Sequence, residues 1–230
     1  MKRLVVLTGA GISAESGIRT FRDSGGLWES YRVEDVASPE GWATNPTLVL
    51  NFYAKRRAEL LTASPNDGHK GLVRLEEFFK VDIITQNIDN LHEKAGSTHV
   101  LHLHGELNKV CSSCNPSYII TLPEEAPYIK LGDKCPLGCQ LRPFVVWFGE
   151  SVPAIEQAID ITQQADIFAI VGTSMNVYPA AGLIHYLSSG TPIYLIDPQP
   201  VETSKNQEIH FIQQPASLGI PILEDLLKSR

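Results

Sequence analysis

Four short apolar runs rich in Val and Ile, each closed by a polar or glycine-bearing turn, do most to constrain this chain: Leu4–Leu7, Val81–Ile84, Ile167–Val171 and Ile193–Ile196. An unbroken run of this length fits a strand buried on both faces of a parallel sheet. Helical patterns lie between and after the runs. Ile155, Ala158, Ile159 and Thr162 recur at helical spacing behind Pro153, a residue suited to a first helical turn. Leu223, Leu226 and Leu227 form the apolar stripe of a final helix. Strands alternating with helices predict an α/β layered architecture. A polar motif follows every run: Gly9 the first, Gln86 the second, Gly172 the third and Asp197 the fourth. In an open parallel sheet, ligands lodge beyond the carboxyl ends of the strands, so that edge is the expected functional site.

Two stretches break the alternation. From about Gly26 to Arg74 no strand is evident, and Asn45–Thr62 reads as one long helix opening with Pro46. From Val110 to Pro143 the chain is loop-rich, with cysteine pairs at both ends and a short strand at Tyr118–Leu122. Both are expected to be insertions forming a smaller second lobe. The 230 residues suffice for one sizeable core carrying such inserts. Hydrophobic and charged shares of 43% and 20% are those of an ordinary globular protein. A net charge of −7 argues against nucleic acid as the main partner, because phosphate binding needs concentrated Lys and Arg. No apolar run approaches the roughly 20 residues that span a bilayer. Lys2 and Arg3 mimic the start of a signal peptide, but the apolar stretch is short and the Gly9 to Glu15 segment interrupts it.

All four cysteines fall between positions 111 and 139. Cys111 and Cys114 are separated by two residues, twenty follow, and Cys135 and Cys139 are separated by three. Without a secretory signal this pattern favours metal binding over disulfides and a reducing cytoplasm as the location. Four thiolates predict a closed, structural zinc site, the three-residue spacer being a departure from zinc-ribbon spacing. Gly9, Gly11 and Gly17 sit where the first strand hands over to a helix. Glycine there lets the backbone approach a pyrophosphate, whose charge a helix N-terminus favours. The spacing is not that of dehydrogenases, and the region of Glu29, Glu34 and Asp35, where their ribose-binding acid would stand, reads as helix and loop. Asn87 and Asp89 fit either a binding pocket or an Asx turn at the strand end. His99, His102 and His104 share one short stretch, and any of the three could be structural or serve as a base near neutral pH.

In this order, GAGIS, GIRTFR, TQNIDNLH, HGE, the two cysteine pairs, FGE and GTS resemble the sirtuin family of NAD-dependent protein lysine deacylases, in its bacterial class III form, from Leu7 to about Pro198. The resemblance implies a Rossmann-like parallel-sheet large domain with a small helical plus zinc-ribbon domain. Its expected boundaries are about 1–25, 75–109 and 144–230 for the core, about 26–74 for the helical insert and about 110–143 for the zinc-binding insert. It implies cleavage of NAD at the nicotinamide ribose and transfer of a lysine's acyl group to that ribose, releasing nicotinamide, O-acyl-ADP-ribose and free lysine. His104 is then the general base, and Asn87 and Asp89 line the nicotinamide pocket.

NAD contacts are implied at Gly9, Ala10, Gly11, Ile12, Ser13, Glu15, Gly17, Thr20, Phe21, Arg22 and Trp28, and at Gln86 to Asp89 with Ile88 between. Further contacts are implied at Gly172, Thr173, Ser174, Ile196, Asp197, Pro198 and Ala216. Asp197 departs from the Asn that many sirtuins carry there, which leaves backbone contact as its expected role. Tyr53 and Arg56, three apart on the long helix, share a face. The resemblance extends to the branch active on succinyl- and malonyl-lysine, whose Tyr–Arg pair binds the acyl carboxylate while Ala37 leaves room. On the residues alone, Lys55, Arg56 and Arg57 also read as a solvated basic face. Phe148, Gly149, Glu150, Val177 and Tyr178 match positions that hold an extended acyl-lysine peptide by strand addition. Neither a membrane nor a nucleic acid is an expected partner. ADP-ribosyl transfer to protein and a non-catalytic NAD and zinc interaction module remain the alternatives.

Overall fold

The computed structural model describes residues 1–20, 31–173, 178–200 and 209–229. The chain opens with β1 (Arg3–Thr8) and a single turn, α1 (Gly11–Ala14). Helices α2 (Val33–Val36), α3 (Pro39–Thr44), α4 (Pro46–Thr62) and α5 (Asp67–Leu75) lead to β2 (Lys80–Thr85). Next come α6 (Leu91–Ala95), β3 (Val100–His102), β4 (Gly105–Ser112), β5 (Ile119–Thr121) and β6 (Leu141–Val145). The last part holds α7 (Ile155–Gln163), β7 (Ile167–Val171), a 3-10 helix (Ala180–Tyr186), β8 (Ile193–Ile196), β9 (Ile209–Ile212) and α8 (Ala216–Lys228).

The large sheet runs β3-β2-β1-β7-β8-β9 and every pairing in it is parallel. Its inner strands alternate between two apolar layers, as a pleat buried on both faces must. Leu4, Val6, Ile83, Ala169 and Val171 face α5 and α8 through Leu72, Leu75, Ile220 and Leu223. Val5, Leu7, Ile84, Phe168 and Ile170 face α7 and the 3-10 helix through Ala158, Leu183 and Ile184. Strand order reverses between β1 and β7, and the crevice at such a switch point is where ligands bind in this architecture.

The runs expected as strands are all strands, β7 and β8 to the residue. Sequence reading missed the two edge strands of the large sheet, β3 and β9, and also β4 and β6 of the small sheet. The long helix begins at Pro46 with Asn45 as its cap, its side chain accepting from Leu48 N. α7 starts at Ile155, two residues beyond Pro153, so that proline precedes the helix. In the final helix, Leu223 and Leu227 are buried but Leu226 faces solvent; Ala216, Gly219 and Ile220 complete the buried stripe.

The smaller lobe has two cores. Val36, Ala37, Val49, Phe52, Tyr53 and Leu60 from the helices pack with Ile88, Leu107, Val145 and Trp147, which ties the lobe to the motif after β2. Leu50 packs with Val110, Ile129, Cys135 and Leu141 around the antiparallel sheet β5-β4-β6.

Candidate active site

Four strand ends meet at the switch point and are laced together by main-chain bonds. Gln86 N donates to Thr8 O (2.9 Å), Gly9 N to Val171 O (3.0 Å), Gly11 N to Gly172 O (2.9 Å) and Gly172 N to Ile196 O (2.9 Å). Gly9 and Gly11, expected to let a pyrophosphate approach, are also demanded as glycines by the packing of the strand ends. A Cβ on Gly9 would lie 2.7 Å from Gly172 O, and one on Gly11 would lie 2.7 Å from Gly172 Cα. They are glycines because the neighbouring strand end fills that space. Gly172 itself has φ +62° and sits against Ile12 N, so it too admits no side chain. Ala10 caps α1, which at four residues is too short for a strong dipole.

The segment after β2 is built into this lacework. Gln86 Nε2 donates to Thr173 Oγ1 (3.1 Å). Asn87 Nδ2 donates to Gly9 O (3.1 Å) and Ser13 Oγ (3.2 Å), and Ser13 Oγ–H donates to Asp89 Oδ2 (3.0 Å). Leu91 N donates to Asp89 Oδ1 (3.1 Å), so the Asx turn at the strand end is present, and the same carboxylate also accepts from Ser13. Burial raises the Asp89 pKa, opposed by the bonds from Leu91 and Ser13 and by the charges of His102 and Arg56. Ser13, Asn87 and Asp89 are all buried.

The structure separates the three histidines. His104 Nδ1 lies 3.0 Å from Gln86 O, which can only accept, so Nδ1 carries the hydrogen and Nε2 is left as the acceptor. Burial lowers the His104 pKa, with the Gln86 bond opposing, and the ring is neutral at pH 7. His102 has both nitrogens engaged, at 2.9 Å from Asn87 O and 2.8 Å from Glu93 Oε1. His99 is exposed.

Tyr53 and Arg56 share the buried face of α4, and the solvated basic face is excluded: Arg56 and Arg57 are 7% and 4% exposed. Only Lys55 of that triplet faces water. Arg57 donates instead to Ala126 O (2.8 Å) and Pro123 O (2.5 Å). Trp147 Nε1 donates to Tyr53 Oη (3.1 Å), and burial pushes the Tyr53 pKa up to about 12, so the phenol keeps its proton. Burial also lowers the Arg56 pKa, against the charges of Glu59, Tyr53 and Asp89. Ala37 is buried, and its carbonyl accepts from Phe148 N (3.0 Å), joining the expected acyl and peptide regions. Glu150 accepts from Arg142 at 2.7 and 3.1 Å and from Trp147 N at 2.8 Å, while Gly149 has φ +91°. Glu150 thus shapes this turn from inside. Sequence reading missed Trp147 and Arg142, whose guanidinium lies 3.5 Å over the Trp147 ring; the VVWFGE run beside FGE was the available signal.

Other expected residues lie apart from this network. The Glu15 carboxylate accepts from Ser217 N (3.0 Å) and Oγ (2.6 Å) and pins the start of α8. Ala216 packs against Gly68 of α5, and Asp197 Oδ1 accepts from Gln199 N (2.9 Å), with Pro198 between them. Ile88 is buried in the small-lobe core, and its carbonyl accepts from Leu107 N (2.7 Å). Gly17 has φ +83° and open space around it, and Thr20 is partly exposed. Tyr178 is exposed. Phe21, Arg22, Trp28, Ser174 and Val177 lie outside the described residues.

The sulfurs of Cys114, Cys135 and Cys139 lie within 4.8 Å of one another. Zinc–sulfur bonds of about 2.3 Å in a tetrahedron set sulfurs roughly 3.8 Å apart, so these three sulfurs, as free thiolates, fit a metal ion. Two departures from the expected four-thiolate site stand out. Cys114 and Cys139 are joined as a disulfide, and Cys111 is buried with its sulfur near Pro143 O (4.0 Å), outside the group. Ser112 Oγ lies 3.4 Å from Cys114 Sγ and 3.2 Å from Cys135 Sγ. Among the described residues no helix is long and apolar enough to cross a membrane.

Comparison with known proteins agrees with this geometry. The model of the Sir2 family matches residues 9–179. A protein named NAD-dependent protein deacylase from Bacteroides thetaiotaomicron is 59% identical over 230 residues, 99% of this chain and 98% of that protein. A solved complex of a Sir2 homologue with NAD has a TM-score of 0.88 at 40% identity, covering 99% of this chain and 90% of that chain. A complex of Sir2 with a p53 peptide and NAD+ has a TM-score of 0.78 at 27% identity, covering 99% and 94%.

Proposed function

The chain belongs to the Sir2 family, and on that premise we propose that it is an NAD-dependent protein lysine deacylase. One observation carries the reading: a neutral imidazole, His104, has its Nδ1–H committed to Gln86 O beside the buried Asn87–Ser13–Asp89 network. When bound, NAD would supply the ribose that takes the acyl group, so that with one water consumed nicotinamide, an O-acyl-ADP-ribose and free lysine leave. His104 Nε2 accepts the proton of a ribose hydroxyl, for which a neutral ring with a fixed tautomer is required. Asn87 Oδ1 accepts from the nicotinamide carboxamide, its Nδ2 being used by Gly9 O and Ser13. Gln86 and Thr173, joined to each other, and the backbone at Gly172 and Ile196 border the rest of the NAD site.

The acyl group is dicarboxylic by preference, succinyl or malonyl, with acetyl as a second substrate. Arg56 and the protonated Tyr53, buried together on one face of α4, support this, because a planar guanidinium and a phenol suit a terminal carboxylate. Peptide strands add beside the exposed Phe148–Gly149 turn, whose Phe148 N–H is itself committed to Ala37 O. Zinc is held by Cys114, Cys135 and Cys139 after reduction, with Cys111 as fourth ligand, and supplies structure rather than chemistry. A reducing cytoplasm suits that state.

Mass spectrometry of the products from NAD and a succinyl-lysine peptide tests the reading. Nicotinamide, O-succinyl-ADP-ribose and free peptide in equal amounts are expected. ADP-ribosylated protein without the O-acyl product would replace it with ADP-ribosyl transfer, and NAD binding without turnover with an interaction module.

A further inference from the structure

We propose that His102 is a positioning residue for the nicotinamide pocket: clamped between Asn87 O and the Glu93 carboxylate, it holds the segment that presents Asn87. The assignment rests on the function proposed above. Where β2 ends, its parallel pairing with β3 ends too, yet three carbonyls in succession still find partners. Thr85 O accepts from Leu103 N (2.9 Å), Gln86 O from His104 Nδ1 (3.0 Å) and Asn87 O from His102 Nδ1 (2.9 Å). Two imidazoles thus continue a ladder that main-chain N–H groups have left. Without them, the carbonyls of residues 86 and 87 would be stranded in a part-buried wall.

The two rings divide the work through their second nitrogens. His104 Nε2 has no hydrogen-bond partner among the described residues and is left for chemistry. His102 Nε2 lies 2.8 Å from Glu93 Oε1, and both its neighbours only accept, so both nitrogens donate and the ring is an imidazolium. Burial alone would lower the His102 pKa, but Glu93, with Asn87 O and Glu106 adding to it, raises it instead. The charges around it come from several elements: Asp89 before α6, Glu93 and His92 on α6, and Glu106, which pairs with Lys109, on β4. Glu93 stands four residues after Asp89 and fixes the ring from the same segment the ring holds. The clamp therefore closes on itself and leaves Asn87 Nδ2 aimed at Gly9 O and Ser13 Oγ.

Calorimetric dissociation constants for NAD and for nicotinamide, measured alongside steady-state kinetics, test the assignment. His102→Leu should weaken both affinities about tenfold and raise KM for NAD by as much, with a smaller change in kcat, the scale of one charge-assisted hydrogen bond. His102→Asn, whose amide places a donor near the Nδ1 position, should restore both to within about threefold. Glu93→Ala should fall between them. A folded His102→Leu protein with unchanged affinities, or a failure of Asn to restore them, overturns the assignment. Should His102→Leu not fold, unchanged affinities in Glu93→Ala overturn it alone. Wild-type protein that binds NAD without deacylating would sink the proposed activity instead, while the affinities still judge the clamp.

Discussion

The strand-end crevice and the cysteine-bearing lobe hold their chemistry in opposite ways. In the crevice, Gln86, Asn87, Ser13 and Asp89 are each tied to another element by hydrogen bonds from more than one direction. In the lobe, three sulfurs and the Ser112 hydroxyl meet around one small apolar core, and the chain there is mostly loop. With so many ties from separate elements, a crevice side chain is expected to be replaceable without loss of the surrounding frame. The sulfurs instead sit against the lobe's other support, the Leu50–Val110–Leu141 core and its small sheet.

The sharpest way to break that comparison is His104→Ala. Initial rates of acyl removal should fall by about 10²–10⁴, the usual worth of a positioned base, while the melting temperature drops only by the few degrees that one unpaired Gln86 carbonyl costs. A large loss of stability would make His104 structural. Arg56→Met comes next: succinyl-peptide turnover should drop about tenfold to a hundredfold, the cost of one or two hydrogen bonds to a charge, and acetyl turnover by no more than about twofold. Undiminished succinyl turnover would make the Tyr53–Arg56 pair a packing feature only.

Cys135→Ser should behave the other way round, lowering the melting temperature by roughly 5 °C with turnover per folded molecule nearly unchanged. Metal analysis of the reduced wild type should find one zinc per chain, and none in well-folded protein would remove zinc from the account. The smallest effect concerns pH. Burial depresses the His104 pKa, and only the neutral ring accepts a proton. The acid limb of kcat/KM should therefore inflect below 6.5, the ordinary histidine value. An inflection above 6.5 would mean that the charged form is favoured.

The buried strands were legible because burial on both faces leaves no room for polar residues, so β7 and β8 announce themselves as pure Val, Ile, Phe, Ala, Leu and Tyr. The edge strands were not. β3 has three residues and β9 mixes His210 and exposed Phe211 with Ile, since one side of an edge strand needs no partner. The motifs after the strands marked the crevice correctly, but a motif does not say what each side chain does there. Glu15, expected as a cofactor contact, has its carboxylate on Ser217 N and Oγ at the start of α8, a tie that no motif announces. Arg57 read as a solvated cation and instead serves two carbonyls of the cysteine lobe, some 66 and 69 residues away. Trp147 was overlooked because nothing local tells that its indole reaches Tyr53, 94 residues earlier.

The order of residues by itself settled where the four buried strands of the large sheet lie and that their carboxyl ends carry polar groups, because both follow from short-range patterns of burial and turn chemistry. Tertiary structure alone decided which histidine keeps an unengaged nitrogen and why Gly9 and Gly11 can bear no side chain. The reason is that the deciding atoms, the carbonyls of Gln86 and Asn87 for the rings and Gly172 for the glycines, come from strand ends that only folding brings together.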